Sequence, residues 1–345
     1  MRTFKIRGAT GPSTVMVGSC LDQLPALCNG RQPVIITDAT VRGRWGHVFP
    51  PGPVVCIGQG EPAKTLETAQ AVYRQLAALE ADRTTLVIGI GGGIVCDLAG
   101  FCAATYMRGL DFGFVPTTLL AQVDASVGGK NGVNLDGYKN LIGVFQQPAF
   151  VICDPCFIAT LPPAEVQNGL AEAVKHGAIA NAGLLEFLET LPDGACLQPE
   201  ALARLVAESV TIKAAVVNAD EKEAGPRRIL NFGHTIGHAV EKVTGLSHGR
   251  AVSVGMVFAA ALSVSLGLLA AQKAARLKGV LERLGLPTAL DRTWAPAVAE
   301  ALGKDKKRRG QDVDFVFLSD LGRAVVQPLA LDRLKGLVLG ANSAP

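Results

Sequence analysis

Four short apolar runs mark the first half of the chain, at residues 34–38, 54–57, 86–90 and 112–115. They are continuous rather than alternating and rich in Val, Ile and Phe, so they predict strands buried on both faces. Between the second and third, residues 64–80 place Leu66, Ala69, Val72, Tyr73, Leu76 and Leu79 at helical spacing. Strand–helix–strand alternation predicts an α/β fold, a Rossmann-like parallel sheet with helices on both faces. Beyond Leu161-Pro162-Pro163 the texture changes. Residues 165–191, 199–220, 231–244, 250–284 and 296–302 read as helices, and 313–318 with 324–327 read as a small hairpin around Asp320-Leu321-Gly322. The break sets the expected division: an α/β domain over 1–161 and a mainly α-helical domain over 162–345.

Composition narrows the class. The 345 residues are 49% hydrophobic and 18% charged, which excludes a disordered chain. Thirty-three Lys and Arg against 30 Asp and Glu leave a net charge of +3, too even for a surface that binds nucleic acid. Eight cysteines scattered through apolar segments, with no apolar leader at the N-terminus, predict reduced thiols and a cytoplasmic protein. Residues 251–272 carry no charge and are long enough to span a bilayer, but the run is Ala-rich, holds Gly and Ser and has no companion. It is expected to be a buried helix, with no membrane partner. Cys153-Asp154-Pro155-Cys156 is a lone pair without the second pair that a zinc site would need.

Three features carry chemistry. Gly91-Gly92-Gly93 follows a predicted strand and opens a helical stretch, where bare backbone can approach a pyrophosphate and a helix N-terminus can receive it. Asp97 lies just beyond, and Asp38 ends an earlier strand, where it suits a ribose hydroxyl. Residues 116–148 form a polar, glycine-rich stretch holding Asp124, Lys130, Asn131, Asn134, Asp136, Lys139 and Asn140, a set suited to an anionic, hydroxylated ligand. His234 and His238 stand four apart, His248 follows, and these are three of the chain's five histidines. Glu172 and Lys175 share a face of an earlier helix. Three imidazoles and a carboxylate predict a divalent metal site, while spacing leaves open which histidine stays off the metal. The basic run from Lys304 to Arg309, broken by Asp305, reads as a solvated turn.

Together these segments resemble the 3-dehydroquinate synthase family. The resemblance rests on Gly91-Gly92-Gly93 with Asp97, Tyr106-Met107-Arg108-Gly109, the stretch from Pro116 to Asp124, and Val127-Gly128-Gly129-Lys130. It continues through Lys139-Asn140-Leu141-Ile142-Gly143, Gly169-Leu170-Ala171-Glu172 with Lys175, the run from Asp220 to Glu223, and Asn231-Phe232-Gly233-His234 with His238. It implies a cyclase that uses NAD and a divalent metal, Zn²⁺ or Co²⁺, to turn a seven-carbon keto acid phosphate (DAHP) into 3-dehydroquinate and phosphate. By position, Glu172, His234 and His248 resemble the metal ligands, with His238 beside the phosphate. Asp38, Glu61, Lys64, Gly91, Gly92, Gly93, Asp97, Thr117, Thr118, Asp124 and Lys139 resemble the NAD contacts. Arg108, Asp124, Lys130, Lys139, Asn140, Lys175, Lys213, Glu223, Arg227, Asn231, His238 and Lys306 resemble the catalytic and substrate-binding set. Arg108 resembles the arginine that family dimers lend across their interface, so the resemblance implies a homodimer. Cys96, Asn131, Thr40 and His176 depart from the family's common residues, and none of these departures removes a metal ligand or a phosphate partner. Related readings are another sugar-phosphate cyclase, such as an aminodehydroquinate synthase, a metal-dependent polyol dehydrogenase, and a non-catalytic nucleotide-binding protein.

Overall fold

A computed structural model describes residues 1–192, 197–302, 308–309 (backbone only) and 311–340. The chain forms two compact units: residues 1–162 with 198–222, and residues 163–197 with 223–345.

The first unit is built on a seven-stranded sheet. Its strands are β1 (Arg2–Gly8), β2 (Gly11–Val17), β3 (Val34–Asp38), β4 (Val54–Ile57), β5 (Leu86–Gly91), β6 (Asp111–Pro116) and, after a separate hairpin of β7 (Lys130–Leu135) and β8 (Tyr138–Phe145), β9 (Phe150–Cys153). The sheet order is β1-β2-β9-β6-β5-β3-β4. β1 and β2 pair antiparallel, and every other pairing is parallel. All four expected strands are present, and β5 is buried along its whole length, as a continuous apolar run requires. Helices α1 (Leu24–Leu27), α2 (Ala39–Trp45), α3 (Leu66–Ala78) and α4 (Gly93–Thr105) follow or join the strands. One sheet face packs Ile35, Ile88, Ile90, Val115 and Ile152 around Leu24, Phe150 and Phe157. The polar stretch 116–148 is not all loop, since β7 and β8 pair within it. From β3 the chain steps outward to β4 and then back to the other side of β3 to lay down β5. That reversal makes the carboxyl ends of β3 and β5 a topological switch point, the place where open α/β sheets bind ligands.

The second unit contains α5 (Pro163–Ala180), α6 (Ala182–Thr190), α8 (His234–Thr244), α9 (His248–Ser265), α10 (Ala271–Arg283), α11 (Ala295–Leu302) and α12 (Leu331–Gly340). They accompany a small sheet of β10 (Arg308–Arg309), β11 (Asp312–Asp320) and β12 (Arg323–Ala330). β11 and β12 are the expected hairpin. Two expected helices are each interrupted. Asn181 leaves helical geometry at φ −154 and caps α6 by accepting from Gly183 N–H at 3.0 Å. Gly267, at φ +70, ends α9, and α10 begins four residues later. α9 is long and apolar enough to cross a membrane by length and composition, yet 61% of it is buried inside the protein, as a core helix is.

The helix α7 (Pro199–Ala219) belongs to the first unit, where it lies against β1 and the turn at residues 121–125. The hydrophobic pattern grouped it with the helical half because periodicity reports which face of a helix is apolar and not which sheet covers that face.

Candidate active site

In the first unit the switch point gathers the glycine run. Gly91 ends β5, Gly92 caps α4 and Gly93 is its first residue. A Cβ on Gly92 would lie 3.1 Å from the Thr118 methyl, so glycine keeps open a cradle that any side chain would fill. On the neighbouring strand's exit, Thr117 N–H donates to Gly91 O at 2.9 Å and Thr118 Oγ1 accepts from Ala121 N–H at 3.2 Å. Asp38 ends β3, and its carboxylate caps α2 by accepting from Val41 N–H at 2.9 Å. Bare backbone, a helix N-terminus and an acidic strand end fit a dinucleotide.

Beside this cradle Lys64, only 4% exposed, pairs with Asp97 and donates to Asn140 Oδ1 at 2.6 Å. Burial holds the Asp97 carboxyl above its usual range, an effect that Lys64 offsets only in part. Lys139 approaches Glu61 at 3.8 Å. Lys213, on α7, pairs with the Asp124 carboxylate and donates to the Asp124 carbonyl at 2.5 Å. Lys130 is exposed at the start of β7. Arg108 is exposed in the turn Tyr106–Arg108. Arg108 and Asn140, at φ 70 and 50, both occupy the left-handed region that non-glycine residues avoid unless held there.

The second unit brings Glu172, from α5, together with His234, at the start of α8, and His248, at the start of α9. His248 Nε2 lies 3.3 Å and His234 Nε2 3.6 Å from Glu172 Oε1, and the three donors lie within 4.8 Å of one another. Two ligands on a tetrahedral zinc, each about 2.0–2.1 Å from the ion, stand about 3.4 Å apart, so these separations match a shared ion. Both rings are oriented from behind. His234 Nδ1 faces Phe232 O at 3.2 Å, and His248 Nδ1 faces Glu241 Oε2 at 3.5 Å, which leaves each Nε2 toward Glu172. Glu241 is a residue that the sequence reading passed over, although it follows His234 and His238 on α8 at i+7 and i+3 and so shares their face. The donor set, one carboxylate and two imidazoles with Glu172 fully buried, fits a divalent ion with positions left for substrate. Burial alone would depress the His248 imidazolium, but the carboxylates of Glu172 and Glu241 outweigh it and hold the group up to about 9.

His238 stands one turn beyond His234, its ring centre 5.3 Å from that of His234 and 6.0 Å from that of His248. It is outside the three-donor group. Lys175, 1% exposed, pairs with Glu172 one turn away on α5. Arg227, also 1% exposed, and Asn231 come from the single turn Pro226–Asn231, and Asn231 donates to Glu223, which sits at φ 58. Lys306 lies outside the described residues. The lone cysteine pair sits at the end of β9, where burial pushes the Cys153 thiol far above its usual range.

Residues 54–168 match the family model described as 3-dehydroquinate synthase N-terminal, and residues 169–308 the one described as 3-dehydroquinate synthase C-terminal. The chain is 49% identical over 281 residues to a 3-dehydroquinate synthase of Halorhodospira halophila, covering 79% of this chain and 78% of that protein. It is 40% identical to one of Pyrobaculum neutrophilum, covering 98% of both. Among solved structures it is similar to 2-deoxy-scyllo-inosose synthase complexed with carbaglucose-6-phosphate, NAD+ and Co2+. That match has a TM-score of 0.88 at 26% identity, covering 98% of this chain and 99% of the other.

Proposed function

Because this chain belongs to the 3-dehydroquinate synthase family, we propose that it converts DAHP into 3-dehydroquinate and inorganic phosphate, with NAD and a divalent metal as cofactors. The observation that carries the reading is the Glu172, His234 and His248 group, at ligand spacing in a chain that matches the family over residues 54–308.

In this reading Glu172, His234 and His248 hold the metal. Asp38, Glu61, Lys64, Gly91, Gly92, Gly93, Asp97, Thr117, Thr118, Asp124 and Lys139 hold the nucleotide. Bound together, the two cofactors supply Lewis-acid polarisation of a substrate oxygen and reversible hydride transfer.

The chain's own side chains bind and orient. The substrate carries a carboxylate and a phosphate, each of which needs charge-assisted donors. The first unit offers Lys130, Asn140 and Lys213. The second offers Lys175, Arg227, Asn231 and His238, and Lys306 joins them on the family resemblance alone. Glu223 holds the Asn231 amide in one orientation. Lys175 neutralises Glu172 from inside α5, which lowers the cost of keeping that carboxylate fully buried and charged. Asp124 holds Lys213 in the same way. Arg108 completes the site of a second copy, making the enzyme a homodimer. The near-even net charge argues against a nucleic-acid partner, the burial of α9 argues against a membrane partner, and the scattered cysteines support work in the cytoplasm.

A polyol dehydrogenase would have no use for Lys130, Asn140, Lys213 and Arg227 together. Related cyclases differ in substrate, and a side-by-side assay separates them. We expect stoichiometric phosphate release from DAHP and none from glucose 6-phosphate under the same conditions. Release from glucose 6-phosphate alone would move the protein to the inosose-type cyclases.

A further inference from the structure

The β7–β8 hairpin is irregular at one place. Val133 faces Ile142, and Leu135 faces Tyr138. From 133 to 135 β7 advances two residues, while from 142 to 138 β8 spans four, so Lys139, Asn140 and Leu141 bulge opposite Asn134. A bulge breaks the ladder locally and re-aims side chains, and the backbone groups it frees need other partners. Asn134 supplies and finds them. Its backbone N–H donates to Lys64 O at 2.8 Å. Its Oδ1 accepts from the Asn140 backbone N–H at 2.9 Å, and its Nδ2 donates to Glu61 Oε1 at 2.8 Å. Asn140 stands at φ 50, a conformation that persists only where the surroundings hold it, and its side-chain oxygen accepts from Lys64 Nζ at 2.6 Å.

We propose that Asn134 is a positioning residue that couples the two binding functions: one amide holds Glu61, on the nucleotide side, and Asn140, on the substrate side. The proposal rests on the assignment of Glu61 and Lys64 to NAD and of Asn140 to substrate made above. A primary amide suits the task because it offers a donor and an acceptor fixed in one plane. Aspartate at this position would keep the acceptor for Asn140 but set a second carboxylate against Glu61. Alanine would remove both contacts.

The test uses the full-length, metal-loaded protein as wild type, Asn134→Ala and Asn134→Asp. NAD affinity is measured by titration calorimetry, substrate KM by phosphate release, and the thermal midpoint is recorded for each. We expect Asn134→Ala to weaken NAD binding and to raise KM, each about tenfold, the loss expected when a hydrogen bond to a charged or strained partner goes. We expect Asn134→Asp to weaken NAD binding by a similar factor while leaving KM little changed. Unchanged constants in both variants would overturn the proposal. So would an aspartate variant whose KM rises as much as that of the alanine variant, because that pattern marks a general structural role. If the alanine variant fails to fold, the split in the aspartate variant decides. Failure of the wild type to bind NAD would overturn the functional reading itself, and the proposal with it.

Discussion

In the proposed reading, Glu241 is a residue off the metal that governs one on it. Its carboxylate faces His248 Nδ1 at 3.5 Å and helps to hold that imidazolium up to about 9. A protonated Nε2 cannot ligate, so metal and proton compete for His248. We therefore expect apparent zinc affinity to fall as pH drops below about 9, rather than below the ordinary histidine value near 6.5. Glu241→Ala should weaken zinc binding about 10–100-fold at alkaline pH, the usual cost of losing an outer partner of a metal ligand. It should also move the onset of competition to lower pH. Competition titrations with a coloured chelator across pH 6 to about 10 measure both, and an unchanged affinity profile would show that Glu241 does not act on His248. The proposed metal group was legible in outline because histidine is rare here and three of five cluster, while the choice of His234 and His248 beside Glu172 came from the family resemblance. Glu241 and Asn134 were not legible, since a glutamate on a helix and an asparagine in a polar stretch look the same whether they face water or a working side chain.

At the scale of elements, the site in the second unit depends on how closely α8 and α9 approach. A Cβ on Gly255 would lie 1.9 Å from Gly233 O, so only glycine lets the two helices meet at this level. Gly255→Ala should push the helices apart, lower stability by about 2–3 kcal/mol as overpacking does, and reduce zinc content with it. The thermal midpoint and metal stoichiometry report the two effects, and a variant with wild-type values of both would show that α8 and α9 tolerate the separation. The strands β3, β5 and β6 were readable as apolar runs because both of their faces are covered. The edge strand β4, with Cys56 exposed, was readable from its Val and Ile residues and not from burial on both faces. β7 and β8 were hidden because their hairpin is rich in Gly, Asn and Lys and β8 is largely exposed, which leaves little hydrophobic alternation to read. The breaks at Asn181 and Gly267 were missed for a different reason. Apolar spacing continues through both, and only the cap geometry ends the helices.

For the whole molecule, the near-even charge conceals a group of buried cations. Lys64, Lys175, Lys213 and Arg227 are all buried. Burying a cation costs several kcal/mol unless a partner compensates, and Asp97, Glu172 and Asp124 answer the three lysines. A net charge of +3 therefore says nothing of these four cations, which are set apart from the surface by burial. The order of the two halves was visible in the sequence as a change from strand–helix alternation to helices. The return of α7 to the first unit was not, because it depends on contacts far apart along the chain.

The most direct test of the central claim is phosphate release from DAHP with catalytic NAD and added Zn²⁺ or Co²⁺, followed alongside NADH absorbance and repeated with a chelator. We expect chelator-sensitive release with no net accumulation of NADH. Steady NADH formation without phosphate release would contradict the account and place the protein among the metal-dependent dehydrogenases.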